Sequence, residues 1–339
     1  MTNITQTLRD CQNQLCAPGA PYEMEDCVVN GQHFRQFKQA PSSMRELLDA
    51  GRQHGDGEFL VYAEPGKPEE RRSFAQFFQR VDALAYQLVH HYQLKQGQRI
   101  AIAMRNYPEW MEAYTAIASL GAIVVPLNSW GSAEELEFVL RDSAADIVFC
   151  DARRLELLTP MLADLPCRAI VARSQASEHA ESMEALIAGA MGQAMPQPWQ
   201  CQLDDPVQIM YSSGTSGKPK GALSRPRNIN QAIISFEVQA IMSAMANPKA
   251  IEAMFAGGNA PCSLLSVPLF HVSGCYAAFL LNLRGGRKIV MTYKWDAAEA
   301  LRLIEQETVT IFSAAPSMVI DLLQHPDFDK RDTSSLFSL

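Results

Sequence analysis

Residues 211–221 read Tyr-Ser-Ser-Gly-Thr-Ser-Gly-Lys-Pro-Lys-Gly, directly after the apolar run Val207-Gln208-Ile209-Met210. Glycines let backbone N–H groups close on an anion, hydroxyls add short hydrogen bonds, and lysines bring charge without requiring a planar partner. Such a segment is suited to holding phosphate, and Ser212, Ser213, Gly214, Thr215, Ser216, Gly217, Lys218 and Lys220 are its candidate ligands. The common P-loop does not fit, because four residues separate its glycines and a Ser or Thr follows its lysine. Here two residues separate Gly214 from Gly217, and Pro219 follows Lys218. The plainer alternative is a surface turn rich in Gly, Ser and Lys. A second candidate is His271, which follows an apolar run ending at Leu269-Phe270 and precedes Ser273-Gly274. That pattern puts an imidazole at the C-terminal end of a strand, where ligands collect in open α/β sheets. Its bland alternative is a hydrogen-bonded core histidine.

The surrounding pattern says what must position these residues. Apolar or β-branched runs expected as strands at 100–104, 123–127, 146–151, 168–173, 207–211, 264–269, 288–291 and 309–313 alternate with segments of helical spacing. The helices are expected at 109–120, 133–142, 182–191, 228–246, 274–283, 297–305 and 317–324. Alternation of this kind predicts an α/β fold with parallel-rich sheets layered between helices. The Gln- and Pro-rich stretch 193–202 is the best internal boundary. The division expected is an N-terminal arm with the start of the large domain over 1–70, a first α/β subdomain over 71–200 and a second over 201–339. Prolines 18, 21 and 41 with Gly19 and Gly31 suggest that the first forty residues form an irregular arm. Trp110, Trp130 and Trp295 are expected to be packing residues. Glu134-Glu135 suits the first turn of a helix, where negative charge meets the dipole.

Bulk properties narrow the function. The chain has 339 residues, 47% hydrophobic and 19% charged, with a net charge of −8. An acidic chain of this kind argues against a nucleic-acid partner, which would demand a basic face. No apolar run is long enough for a membrane span, and the first residues lack a secretory signal pattern, so a cytoplasmic protein is the default expectation. The eight cysteines show no C-x-x-C pair or zinc-ligand spacing and are expected to be reduced core thiols.

With these residues in place, the chain resembles the N-terminal part of the adenylate-forming (acyl-CoA synthetase, AMP-binding) superfamily, and within it the medium- and long-chain fatty acyl-CoA ligases. Residues 211–221 fit that superfamily's Y/F-T/S-S-G-T-T/S-G-x-P-K-G signature. Arg72-Ser73-Phe74-Ala75-Gln76-Phe77, Gly97-Gln98-Arg99-Ile100-Ala101-Ile102, Asn106-Tyr107-Pro108-Glu109-Trp110, Gly121–Asn128, Ala133-Glu134-Glu135-Leu136 and Val267–Gly274 follow in family order. Two departures stand out: Pro226 occupies a position often held by histidine, and Gln76 one usually held by glutamate. The family's adenine-contacting segment, Tyr-Gly-x-Thr-Glu element, ribose-binding Asp, hinge and small C-terminal lid domain with its catalytic Lys have no counterpart in these 339 residues. The resemblance therefore implies a truncated large domain, unable by itself to complete turnover.

The activity implied is ATP-dependent activation of a fatty or other carboxylic acid to an acyl-adenylate and then an acyl-CoA, with ATP, Mg2+ and coenzyme A as cofactor and co-substrates. The resemblance makes residues 212–217 the cradle for the departing pyrophosphate, with Lys218 and Lys220 as charge partners and Lys220 matching the family's fixed lysine. It places His271 near the carboxylate and α-phosphate, with Phe270 and His271 against the substrate. Amino-acid-activating relatives carry Asp after this Phe, and an imidazole cannot supply that charge. An amino- or aryl-acid adenylation domain and a non-catalytic nucleotide- or acyl-binding module are the alternatives, and a homo-oligomer is left open.

Overall fold

A computed structural model describes residues 4–197, 199–212, 218–249, 252 and 258–337. Two sheets dominate it. The larger is built from β5 (Arg99–Ala103), β6 (Ile123–Pro126), β7 (Ile147–Asp151), β8 (Arg168–Ala172), β9 (Ala180–Ser182), β10 (Gln208–Ser212) and β11 (Lys220–Ser224). Its seven strands lie in the order β11-β10-β6-β5-β7-β8-β9. All are parallel except β11, which runs antiparallel to β10 at the edge. The smaller sheet is built from β3 (Glu58–Ala63), β4 (Glu70–Ser73), β12 (Cys262–Leu265), β13 (Lys288–Thr292) and β14 (Ile311–Ser313), in the order β14-β12-β13-β3-β4. It too is parallel apart from its edge strand β4.

Alternation along the strands assigns their side chains to different layers. Ile100, Ile102, Val124, Ile147 and Phe149 of the large sheet and Leu60, Tyr62, Ile289 and Met291 of the small one face a shared central core. That core also contains α3 (Phe74–His90) and α4 (Pro108–Ser119). Ala101, Val125 and Val148 point the other way, onto α5 (Ala133–Ser143) and α6 (Ala152–Leu162). On the small sheet, Val61, Leu264 and Val290 cover Ala297–Glu307 and Pro316–Leu323. The expected layered α/β architecture is therefore present. The connection at 193–202 does not separate the sheets, however: β10 and β11 come after it and complete the large sheet, while β3, from the first seventy residues, lies inside the small one.

Helix α4 is buried on every side, as a helix clasped between two sheets must be. Its Glu109 and Glu112 are therefore buried charges that need partners. Glu112 accepts from Arg72 and Arg80, each at 2.8 Å, and Glu109 from Arg72 at 3.1 Å and Arg173 at 2.9 Å. Gln76 completes a capping box at the start of α3: its N–H donates to Ser73 Oγ at 3.2 Å and its Oε1 accepts from the Ser73 N–H at 2.9 Å. An amide does this as well as a carboxylate.

Four expectations are corrected. The first forty residues are not an irregular arm but helix α1 (Ile4–Cys16) and a hairpin of β1 (Met24–Val29) and β2 (Gln32–Phe37). Leu8, Cys11 and Leu15 give α1 the apolar side that packs on α8 (Pro226–Ala246). Residues 220–224, expected to belong to the phosphate loop and its exit, form the edge strand β11. Helix α6 occupies 152–162, where none was expected, capped by the Asp151 carboxylate accepting from the Arg154 N–H at 3.0 Å. Strand β12 ends at Leu265, four residues short of the expected end, because the backbone beyond it is bonded to a side chain rather than to a neighbouring strand.

Candidate functional site

The C-terminal ends of β6 and β10 and the loop after β12 enclose a cavity of about 450 Å³. Leu127, Asn128 and Trp130 line it from the turn after β6, Tyr211 and Ser212 from the end of β10, and Pro268, Phe270 and His271 from the loop after β12. Thus Ser212, Phe270 and His271, separated by some sixty residues of chain, share one wall-to-wall space. Ser213, Gly214, Thr215, Ser216 and Gly217 lie outside the described residues.

The two lysines are arranged differently. Lys220 opens β11 directly across the ladder from Ser212, at the strand end that borders the cavity. Its side chain is exposed and has no carboxylate partner among the described residues. Lys218 Nζ lies 5.7 Å from the centre of the Phe138 ring on α5. Neither lysine lines the cavity itself, although Pro219 between them does.

The hairpin is held by Tyr211, whose hydroxyl donates to Asp142 Oδ2 at 2.6 Å. Burial, then this acidic neighbour, pushes the phenol well above its ordinary range, so it remains a donor at neutral pH. Its ring lies over Gly221, where a Cβ would meet Ile209 at 2.9 Å and the Tyr211 ring at 3.1 Å. The glycine that closes the sequence signature is thus a seat for an aromatic side chain that lines the cavity.

His271 is exposed rather than buried, and its ring lies 4.5 Å from that of Phe270. It is not on a strand: five residues separate it from Leu265, the end of β12. Its N–H donates to Pro268 O at 3.2 Å and its carbonyl accepts from the Cys275 N–H at 2.8 Å. The second bond ties it to the π-helical segment Ser273–Leu280, a geometry that recurs at functional sites. Gly274 permits the close approach, since a Cβ there would lie 2.1 Å from Pro268 O.

Trp130 is not the packing residue expected. It is 63% exposed, and the Arg105 guanidinium sits 3.2 Å from its ring centre. Burial and the neighbouring Arg154 both lower the Arg105 pKa. Asn128 braces the same turn: its Oδ1 accepts from the Trp130 N–H at 3.0 Å and its Nδ2 donates to Glu135 Oε1 at 3.2 Å. Trp110, by contrast, is fully buried, stacked on Tyr114. All eight cysteines are free thiols, and Cys11, Cys150, Cys167, Cys262 and Cys275 are buried.

A strand end carrying a hydroxyl and a loop bearing an imidazole thus open onto one cavity, and a lysine with no carboxylate partner among the described residues stands across the ladder from that hydroxyl. The matching family model makes this more specific: it is that of the AMP-binding enzymes, and it covers residues 47–339. The chain belongs to that family. Among curated proteins, the indoleacetate–CoA ligase of Aromatoleum aromaticum is 30% identical over 80% of this chain and 51% of its own length. The mitochondrial medium-chain acyl-CoA ligase of Danio rerio is 28% identical over 83% of this chain and 48% of its own length. The solved structure of an anthranilate CoA ligase with anthranoyl-AMP superposes with a TM-score of 0.69 at 21% identity, covering 87% of this chain and 54% of that one. The chain spans about half the length of the curated relatives it matches. Among the described residues no helix is long and apolar enough to cross a membrane, and no cluster of three or more His, Cys, Asp or Glu side chains could hold a metal ion.

Asn128, Glu135 and Trp130 were not candidates by sequence. Asn128 and Glu135 did stand in the Gly121–Asn128 and Ala133–Leu136 elements of the resemblance, and all three follow β6 at the same end of the sheet as residue 212.

Proposed function

We propose that this chain supplies the phosphate- and acid-binding part of an ATP-dependent acid–thiol ligase, with a fatty acid as the preferred class of substrate. The observation that carries the reading is the shared cavity: Ser212, at the root of the signature loop, and His271 open onto one space. An oxygen of the substrate carboxylate attacks the α-phosphorus of ATP. The α–β anhydride bond breaks, and pyrophosphate leaves with the electron pair. In the second half-reaction the coenzyme A sulfur attacks the acyl carbon, and AMP leaves as the thioester forms.

Two anions must meet in the first step, so positive charge and positioned donors carry the burden. Ser212, with residues 213–217, cradles the β- and γ-phosphates, and Lys220, free of any carboxylate among the described residues, neutralises them. Lys218 contributes from the side of α5. Magnesium accompanying the nucleotide would add positive charge at its phosphates, and such an ion keeps most of its water and needs few protein ligands. His271 opens onto the same cavity, and its ring N–H can donate to the oxygen that bridges acid and phosphorus. Phe270 offers the apolar surface.

A simple acid is favoured over an amino acid. Glu135 is the one carboxylate among the described residues that line the cavity, and it already accepts from Asn128. The names of the relatives span aryl and medium-chain acids, so an aryl acid is the second reading.

Carboxylate-dependent ATP–pyrophosphate exchange tests the proposal, using short to long fatty acids and aryl acids. It is run on these 339 residues and on a form extended through any downstream coding sequence. Exchange with fatty acids supports the reading. Exchange with aryl acids alone moves the substrate class, and exchange with none across the panel refutes it.

A further inference from the structure

The cavity has a structural peculiarity: its walls belong to different sheets. Tyr211 and Ser212 are carried by the seven-stranded sheet, whereas Phe270 and His271 hang from the five-stranded one. Anything that fixes the distance between phosphate loop and imidazole must therefore span the two. We propose that Asn106 is that tie, a positioning residue that sets the Phe270–His271 turn against the phosphate-binding edge. The inference rests on the functional reading above for what the turn does, but not for where it is held.

Asn106 follows β5, the central strand of the large sheet. Its Nδ2 donates to Val267 O at 2.9 Å and its Oδ1 accepts from the Leu269 N–H at 3.0 Å. One planar amide thus satisfies a carbonyl and an N–H two residues apart on the loop after β12, as a neighbouring strand would. This is why β12 stops at Leu265 while the backbone beyond it remains ordered. The contact spans about 160 residues of sequence and reaches from one sheet to the loop of the other.

A tie is useful only if its own anchor is rigid. Arg105, just before it, donates its backbone N–H to Asp151 Oδ2 at 3.1 Å, and Asp151 in turn is paired with the buried Arg154. Just after it come Tyr107, the N-cap of α4, and Pro108, whose fixed φ suits a first helical position. The first turn of α4 is then locked through Glu109 to Arg72 and Arg173. On the far side, Gly274 seats its helical turn on Pro268 O, so the loop is gripped from both sides. Asn106 does not line the 450 Å³ cavity. Its effect on chemistry is therefore indirect, through the loop it holds.

Hydrogen exchange and kinetics on Asn106→Ala and Asn106→Asp provide the test. Aspartate keeps the acceptor for the Leu269 N–H but loses the donor to Val267 O, so it is a half-tie. On the 339-residue chain, Asn106→Ala is expected to lose most of the amide protection at Leu269 and His271, with Asn106→Asp in between and the amides of β5 and α4 unchanged. Unchanged protection at Leu269 overturns the tie. In whichever form is active in ATP–pyrophosphate exchange, the expected result is a fall in kcat of about 10- to 100-fold with the KM for ATP little altered, as for a reacting group displaced by about 1 Å. Loss of loop protection with kcat unchanged overturns the positioning role. If the unsubstituted protein exchanges with no acid, the functional reading fails, and the amide measurement alone still decides whether Asn106 holds the turn.

Discussion

Gly274→Ala is the sharpest single test of how the His271 turn is built. A Cβ at this position would lie 2.1 Å from Pro268 O, 2.6 Å from its carbonyl carbon and 3.0 Å from Leu269 Cα. These are backbone atoms, so no rotamer change relieves the contact. Opening the shortest distance to about 3 Å needs a displacement of about 0.9 Å by the loop or the helical segment, an overpacking cost of about 1–3 kcal/mol. The same movement pulls on the two Asn106 hydrogen bonds, each worth about 1 kcal/mol. With both bonds lost the sum is about 3–5 kcal/mol, which should lower the melting midpoint by about 6–20 °C at roughly 2–4 °C per kcal/mol. Gly189→Ala is the control, because its nearest neighbour is the flexible end of Gln87, at 3.2 Å. Thermal unfolding of both variants, with amide exchange across 268–271, checks the argument. A Gly274→Ala protein that melts within about 1 °C of the parent and keeps loop protection would refute it.

The same geometry sets three further outcomes. Lys220→Ala should weaken ATP binding by about 10-fold or more, the worth of a charge-assisted hydrogen bond, while leaving the melting midpoint unchanged because the side chain is exposed; titration calorimetry and thermal unfolding read the two effects separately. Arg154→Leu should destabilise by about 3–5 kcal/mol in urea unfolding, since it strands the buried Asp151 and frees Ser129 O from the Nε donor now at 2.9 Å. Glu307 is pushed up by burial, but bonds from Arg71 and Lys288 outweigh this and hold its pKa near about 2, below the ordinary 4.5. A depressed carboxylate pKa adds stability above the unfolded value and loses it as pH falls, so the stability gap between the parent and Glu307→Gln should close between about pH 4.5 and 2.

Much of the layering was legible from periodicity. Strands such as β5–β8 and helices α4, α5 and α8 follow runs whose spacing has a local physical cause. The expected errors fall where local spacing is not the deciding force. Residues 220–224 read as loop because Lys220 and Gly221 favour one, yet they gain a strand's hydrogen bonds from β10 and Gly221 a seat beneath Tyr211. Residues 266–269 read as the end of a strand because they continue an apolar run, yet Val267 O and the Leu269 N–H are claimed by Asn106. Trp130 read as a packing residue because it is aromatic, yet it lies exposed with the Arg105 guanidinium over its ring.

By itself the sequence determined the phosphate-suited segment 211–221, the candidacy of His271, the α/β class and the family. These depend on residue types at short spacing, where backbone freedom, charge and periodicity act locally. Only the tertiary structure decided that Ser212 and His271 share a cavity, that its two walls come from different sheets, and that Asn128, Trp130 and Asn106 belong to its construction. Those facts are contacts between residues tens to hundreds of positions apart, fixed by sheet order and by which side chains reach across it.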